Sequence, residues 1–193
     1  MRKVLLLFVL LIGSVVLAAC DSQREFDFED GVLVVGLEAA YAPFNWAETT
    51  ATDTNVPIYG TSMYAEGYDV QIARRIAAHL GLELVVKMVD WDGIIPALQS
   101  GMIDVIIAGM SPTAERAEVI SFTDEYYRSE HVVVVRETSQ YANATRFIDF
   151  AGANIMGQRG TVYDDLAEQL AESAGGTHMT PLARVPQIVN AIL

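Results

Sequence analysis

Asp69-Val-Gln-Ile-Ala-Arg-Arg-Ile-Ala-Ala-His-Leu-Gly81, followed at once by Leu82-Glu-Leu-Val-Val-Lys-Met-Val89, is the stretch that decides the fold. Val70, Ala73, Ile76, Ala77 and Leu80 fall at three- and four-residue steps and share one helix face. Asp69 is a candidate cap at the start, and Gly81 a candidate stop. The run from Leu82 is short, apolar and rich in Val, which predicts a strand. Upstream, Gly31-Val-Leu-Val-Val-Gly36 reads as a buried strand, and residues 47–66, with Pro57 and Gly60 and no sustained period, read as a loop. Downstream come a short helix from Asp92 to Ser100 with Pro96 near its first turn, a strand from Ile103 to Ala108 and a short helix from Thr113 to Val119. Val132-Val-Val-Val135 and Ala153–Gln158 read as strands, and Thr161–Ala174 as a helix with Val162, Leu166 and Gln169/Leu170 facing inward. Thr177–Leu182 reads as a strand, and a helix begins at Val185.

Strands alternating with helices predict an α/β fold with mainly parallel sheets flanked by helices. No helix separates Tyr126–Val135 from the strand before it, so this run is the expected crossover between two lobes. Lobe 1 is then 31–128, and 129–193 holds the hinge crossover and a partial lobe 2.

The N-terminus is different in kind. Met1-Arg2-Lys3 is basic, and no charged residue follows from Val4 to Cys20. Small residues lead into Cys20, the only cysteine among the 193 residues, and a polar, acidic stretch follows. This resembles a bacterial lipobox, which implies a signal peptide over 1–19, lipid attachment at Cys20 and a tether over 20–30. An uncleaved anchor helix is the alternative. Either way the chain is expected to be exported and held at the outer face of the cytoplasmic membrane. With 12 Lys+Arg against 25 Asp+Glu, the formal charge of -13 argues against nucleic acid. One cysteine and three scattered histidines (His79, His131, His178) offer neither a disulfide framework nor a zinc site, so no metal or cofactor is expected.

In open α/β sheets, ligands bind beyond the carboxyl ends of strands. That rule picks out Glu38 and Tyr41 after the first strand and Trp91 after the second. It also picks out Gly109, Ser111 and Arg116 after the third, and Gly160-Thr161 at the start of the long helix. The Arg116 guanidinium matches a carboxylate bidentately, with the Ser111 hydroxyl beside it. Tyr41 and Trp91 offer flat faces to an aliphatic or cationic group, and Glu38 a counter-charge. The N–H groups of Gly160 and Thr161 suit an anion. Each residue taken singly also has a plain reading: Arg116 a solvated helix residue, Tyr41 and Trp91 core or rim aromatics, Ser111 part of a helix start, Thr161 and Asp92 simple caps.

In combination and order, Gly36–Phe44, Glu66–Val70, Trp91–Gly101, Ile103–Arg116, Phe122–Tyr127 and Gln158–Thr161 resemble the polar amino-acid family of extracellular solute-binding proteins that feed ABC importers. The resemblance runs from Gly31 to Leu193. It implies a periplasmic-binding-protein-like two-lobe clamp, working as a monomer without catalysis, that closes on a free amino acid and delivers it to a membrane permease. It implies that Arg116 pairs with the ligand α-carboxylate, helped by Ser111 and the Thr161 N–H, and that the Gly109 region meets the α-amino group through backbone oxygen. Glu38, Tyr41 and Trp91 then surround the ligand side chain, which favours a basic or amide group over an acidic one. Gln71 departs from the family signature by replacing an acidic residue. The loop 47–66 is longer than usual and is expected to cover the cleft or contact a partner. Members of the family continue several tens of residues past Leu193, so the sequence reads as C-terminally truncated, with lobe 2 incomplete and binding weakened. Two other readings stay open: a small cyclic-acid dehydratase on the same scaffold, with Glu38 as its acid or base, and a tethered amino-acid sensor.

Overall fold

The computed structural model describes residues 30–193; the targeting segment, Cys20 and most of the tether lie outside the described residues. The Val-rich run forms β1 (Val32–Leu37), the central strand of a three-stranded parallel sheet. It is followed by β2 (Ala40–Tyr41), β3 (Asn45–Glu48), β4 (Val56–Pro57), β5 (Tyr64–Glu66), α1 (Tyr68–Leu80), β6 (Glu83–Met88), α2 (Trp91–Gln99) and β7 (Val105–Ile106). β6 pairs with one edge of β1 over its full length, and β7 pairs with the other through Val105 and Ile106. Leu33, Val35, Leu37 and Val86 are buried between the α1 and α2 layers. Apolar residues on both faces of a strand are what a sheet covered on both sides requires.

The region read as a loop forms a second, antiparallel sheet in the order β2-β3-β5-β4, and Ile58 bridges onto Val86 at the edge of the first. Its strands are two to four residues long, too short to carry a period of their own. Antiparallel pairing therefore accompanies the expected parallel core.

Helix α1 matches its periodicity, with Val70, Ala73 and Ala77 buried and Gly81 in the left-handed conformation that ends it. Ile76 and Leu80, expected inside, are exposed. Asp69 is not the cap: Gly67 occupies that position at φ +125°, where a Cβ would collide with the Phe44 carbonyl. Pro96 is the sixth residue of α2, beyond the first turn where it was expected, because the helix already begins at Trp91.

After α3 (Ala114–Ala117), the chain up to residue 146 carries no helix or strand. Val132–Val135 is therefore not the predicted strand. Val132 and Val134 are 80% and 67% exposed, and no described strand pairs with them. A 3-10 turn at Phe147–Phe150 opens a second, smaller body, followed by β8 (Asn154–Ile155), α4 (Val162–Ala174), β9 (Thr177–His178) and α5 (Val185–Ile192). β8 and β9 are parallel, and Gln158 extends their pairing to Leu182. This body has its own apolar core of Phe150, Ile155, Ala167, Leu170, Ala171 and Ala174. The buried face of α4 is thus offset from the expected one: Leu166 and Gln169 point outward. No helix among the described residues is long and apolar enough to cross a membrane.

Candidate functional site

The carboxyl ends of β1, β6 and β7 open on the same side of their sheet, and the segment after β8 faces them. The structure brings Glu38, Tyr41, Trp91, Gly109, Ser111, Arg116 and Thr161 to one cavity between the two bodies. Gln158 and Tyr163 line it too, although neither was a candidate from the sequence. Gln158 opens the stretch Gln158–Thr161, but nothing in its spacing distinguishes its amide from any residue at the end of a strand. The cavity volume is about 20 Å³, room for about one water. A ligand larger than a water needs more room than this cavity offers.

Arg116 is held from several sides. Thr113 caps α3, its hydroxyl accepting from the Arg116 N–H, which fixes the start of that short helix. The guanidinium donates to the Ser111 carbonyl at 2.8 Å and, across the cleft, to the Gly160 carbonyl at 3.1 Å. It also lies 5.4 Å from the Trp91 ring centroid. Burial disfavours its charged form, while Glu115 and Asp165 restore part of that loss. Ser111 thus meets Arg116 through its carbonyl. Trp91 Nε1 donates to the same Gly160 oxygen at 2.8 Å. Thr161 caps α4, its hydroxyl accepting from the Tyr163 N–H, while its own N–H turns back to the Gln158 carbonyl at 3.3 Å.

Glu38 is buried, with 2% of its surface exposed. Its carboxylate accepts both oxygens' bonds from Gln158 Nε2, at 3.1 and 3.0 Å, and Arg184 Nε stands 3.8 Å from one oxygen. Burial pushes the Glu38 carboxyl above its usual range; the Gln158 amide and Arg184 oppose the shift, and Asp90 and Asp92 add to it. The Tyr41 and Tyr163 hydroxyls are 3.2 Å apart across the cleft, and burial raises the Tyr41 phenol first of all. Gly109 sits at φ +61°, its N–H donating to the Tyr126 hydroxyl, with the Tyr41 ring where a Cβ would point. Outside the cavity, Asp92, read as a cap, accepts two bonds from Arg159 at 2.9 and 2.5 Å and joins the bodies at their rim. No cluster of metal-ligating side chains exists among the described residues.

An α/β scaffold of two bodies, with a cation, aromatic faces and a buried carboxylate on the first facing Gln158, Thr161 and Tyr163 on the second, defines a clamp of the periplasmic-binding-protein type. Residues 33–174 match the bacterial extracellular solute-binding proteins, family 3, and the chain belongs to that family. Members are exported proteins. The chain is 30% identical over 177 residues to the arginine-binding extracellular protein ArtP of Bacillus subtilis (strain 168). That match covers 91% of this chain and 63% of the relative, so the chain spans less than two thirds of the relative's length. An ancestral arginine-binding protein bound to arginine superposes with a TM-score of 0.69 and 31% identity, covering 84% of this chain and 65% of that one. The fold is shared too with the ancestral amino acid-binding protein AncCDT-1, a precursor of cyclohexadienyl dehydratase, at a TM-score of 0.69 and 24% identity over 85% of this chain and 66% of that one.

Proposed function

We propose that this chain captures a free amino acid between its two bodies by hinge closure and delivers it to a membrane ABC permease. Arg116 takes the α-carboxylate in place of the Gly160 carbonyl it now meets, Tyr41 and Trp91 flank the aliphatic part, and Glu38 faces a basic or amide side-chain end. The Gly109 region and Thr161 complete the backbone contacts. The crossover near residues 128–129 acts as the hinge, and lipid at Cys20 tethers a monomer to the outer face of the membrane. The observation that carries this reading is one cavity lined by Arg116, Glu38, Tyr41 and Trp91 from the first body and by Gln158, Thr161 and Tyr163 from the second. Arginine binding by the Bacillus relative, and by the ancestral protein solved with arginine, supports the ligand class. A ligand shifts an open–closed equilibrium only by binding the closed form better, and contacts from both bodies supply that difference.

The experiment is a thermal-shift panel of the twenty amino acids on the full chain. A rise in melting temperature confined to a basic or amide subset is expected, because a ligand that binds only the folded state stabilises it by mass action. No shift with any amino acid would overturn the reading. A second reading, acid–base catalysis on this scaffold, is favoured by the raised Glu38 carboxyl alone. Chemical conversion of a bound cyclic acid, followed by mass spectrometry, would select it.

A further inference from the structure

We propose that Arg184 determines the specificity of this cleft: its guanidinium neutralises Glu38 and turns the side-chain end away from cationic ligands toward neutral, amide-bearing ones. The proposal rests on the reading of the cleft as an amino-acid site and narrows its ligand class. Arg184 comes from the segment just before α5, far along the chain from Glu38. Nothing in the local sequence pairs the two residues.

Three observations carry it. Gln158 Nε2 donates to both Glu38 oxygens and also to the Ala183 carbonyl at 2.9 Å, which ties the segment holding Arg184 to Glu38. Arg184 then reaches Glu38 twice, through Nη2 to its backbone carbonyl at 3.4 Å and through Nε at 3.8 Å from Oε1. The Nε atom is buried and has no hydrogen-bond acceptor among the described residues, so the Glu38 carboxylate is its charge partner. The other nearby acids do not cancel this pairing. Asp92 is engaged by Arg159 at the rim, and Asp90 acts on Glu38 only through the field.

The chemistry follows from charge. A carboxylate already facing a guanidinium in a half-buried site gives an incoming ammonium or guanidinium much less attraction, because the second cation meets both signs. An amide N–H still finds carboxylate oxygen to donate to and meets no like charge. Arg184 therefore acts on the ratio of affinities between cationic and amide ligands, which is what specificity means.

The test is calorimetric titration of the full chain, purified in detergent, with L-arginine, L-lysine and L-glutamine. In Arg184→Gln, affinity for arginine and lysine is expected to rise about tenfold relative to glutamine. In Glu38→Gln, where Arg184 stands uncompensated, the same ratio is expected to fall about tenfold. This second variant keeps the proposal falsifiable if the first does not fold. Ratios unchanged in either folded variant, or a fall in Arg184→Gln, would overturn the role of Arg184 while amino-acid binding stands. Failure of all three amino acids to bind the unaltered chain would instead overturn the reading of the cleft itself.

Discussion

Asp69 is fully buried, and its two carboxylate oxygens are engaged: Asn45 Nδ2 donates to one at 2.7 Å and the Tyr126 hydroxyl to the other at 2.8 Å. Tyr126 in turn accepts from the Gly109 N–H, so a residue outside the cavity fixes one that lines it. Burial raises the Asp69 carboxyl above its usual value, more than the bonds from Asn45 and Tyr126 lower it. Its folded value therefore exceeds its unfolded one, and its contribution to stability is present at acid pH and lost as pH rises through the folded value. Replacing Asp69 by Asn fixes the side chain neutral. The stability difference, native chain minus Asp69→Asn, is expected to shrink from about pH 4 to pH 7 in urea titrations; a constant or growing difference would refute it. The sequence marks Asp69 as notable but for the wrong reason. An acidic residue opening an apolar period reads as a cap, whereas its actual partners, Asn45 and Tyr126, reach it from separate segments and leave no mark on local spacing.

At the scale of elements, Thr161 illustrates what local chemistry decides unaided. Its hydroxyl accepts from the Tyr163 N–H and so satisfies one orphan donor at the start of α4. Thr161→Val keeps the shape and removes the acceptor, with an expected loss of about 1 kcal/mol in chemical denaturation; no loss would mean the cap is idle. The cap was legible, but the buried face of α4 was not. Ala167, Ala171 and Ala174 are buried, yet alanine carries too weak an apolar signal to outvote Leu166, which lies outward. The short antiparallel strands β2 to β5 were hidden for a similar reason, since two to four residues cannot establish a period. Val132–Val135 fails in the opposite sense. Its β-branched residues favour extension, but a strand needs a partner edge, and none of the described strands supplies one.

For the molecule as a whole, the convergence of Glu38, Tyr41, Trp91, Gly109, Ser111 and Arg116 on one cavity follows from topology. Parallel strands send their carboxyl ends to one side, so residues just past β1, β6 and β7 become neighbours whatever their separation in sequence. What topology could not announce are the contacts that close the cavity from the second body. These are Gln158 to Glu38, Trp91 and Arg116 to the Gly160 carbonyl, and Tyr41 to Tyr163. Each is a bond between distant segments that forms only when the bodies meet. In a cavity of about 20 Å³ these contacts occupy the space the proposed ligand takes. On the proposed reading, binding exchanges protein–protein bonds for protein–ligand bonds, and Arg116 gives up its bond to the Gly160 carbonyl. Calorimetric titration of the best ligand from the amino-acid panel, on the native chain and on Arg116→Ala, tests this most directly. Loss of one charge-assisted pair is expected to weaken binding by about 10- to 100-fold. Equal affinity in the two proteins would contradict the account.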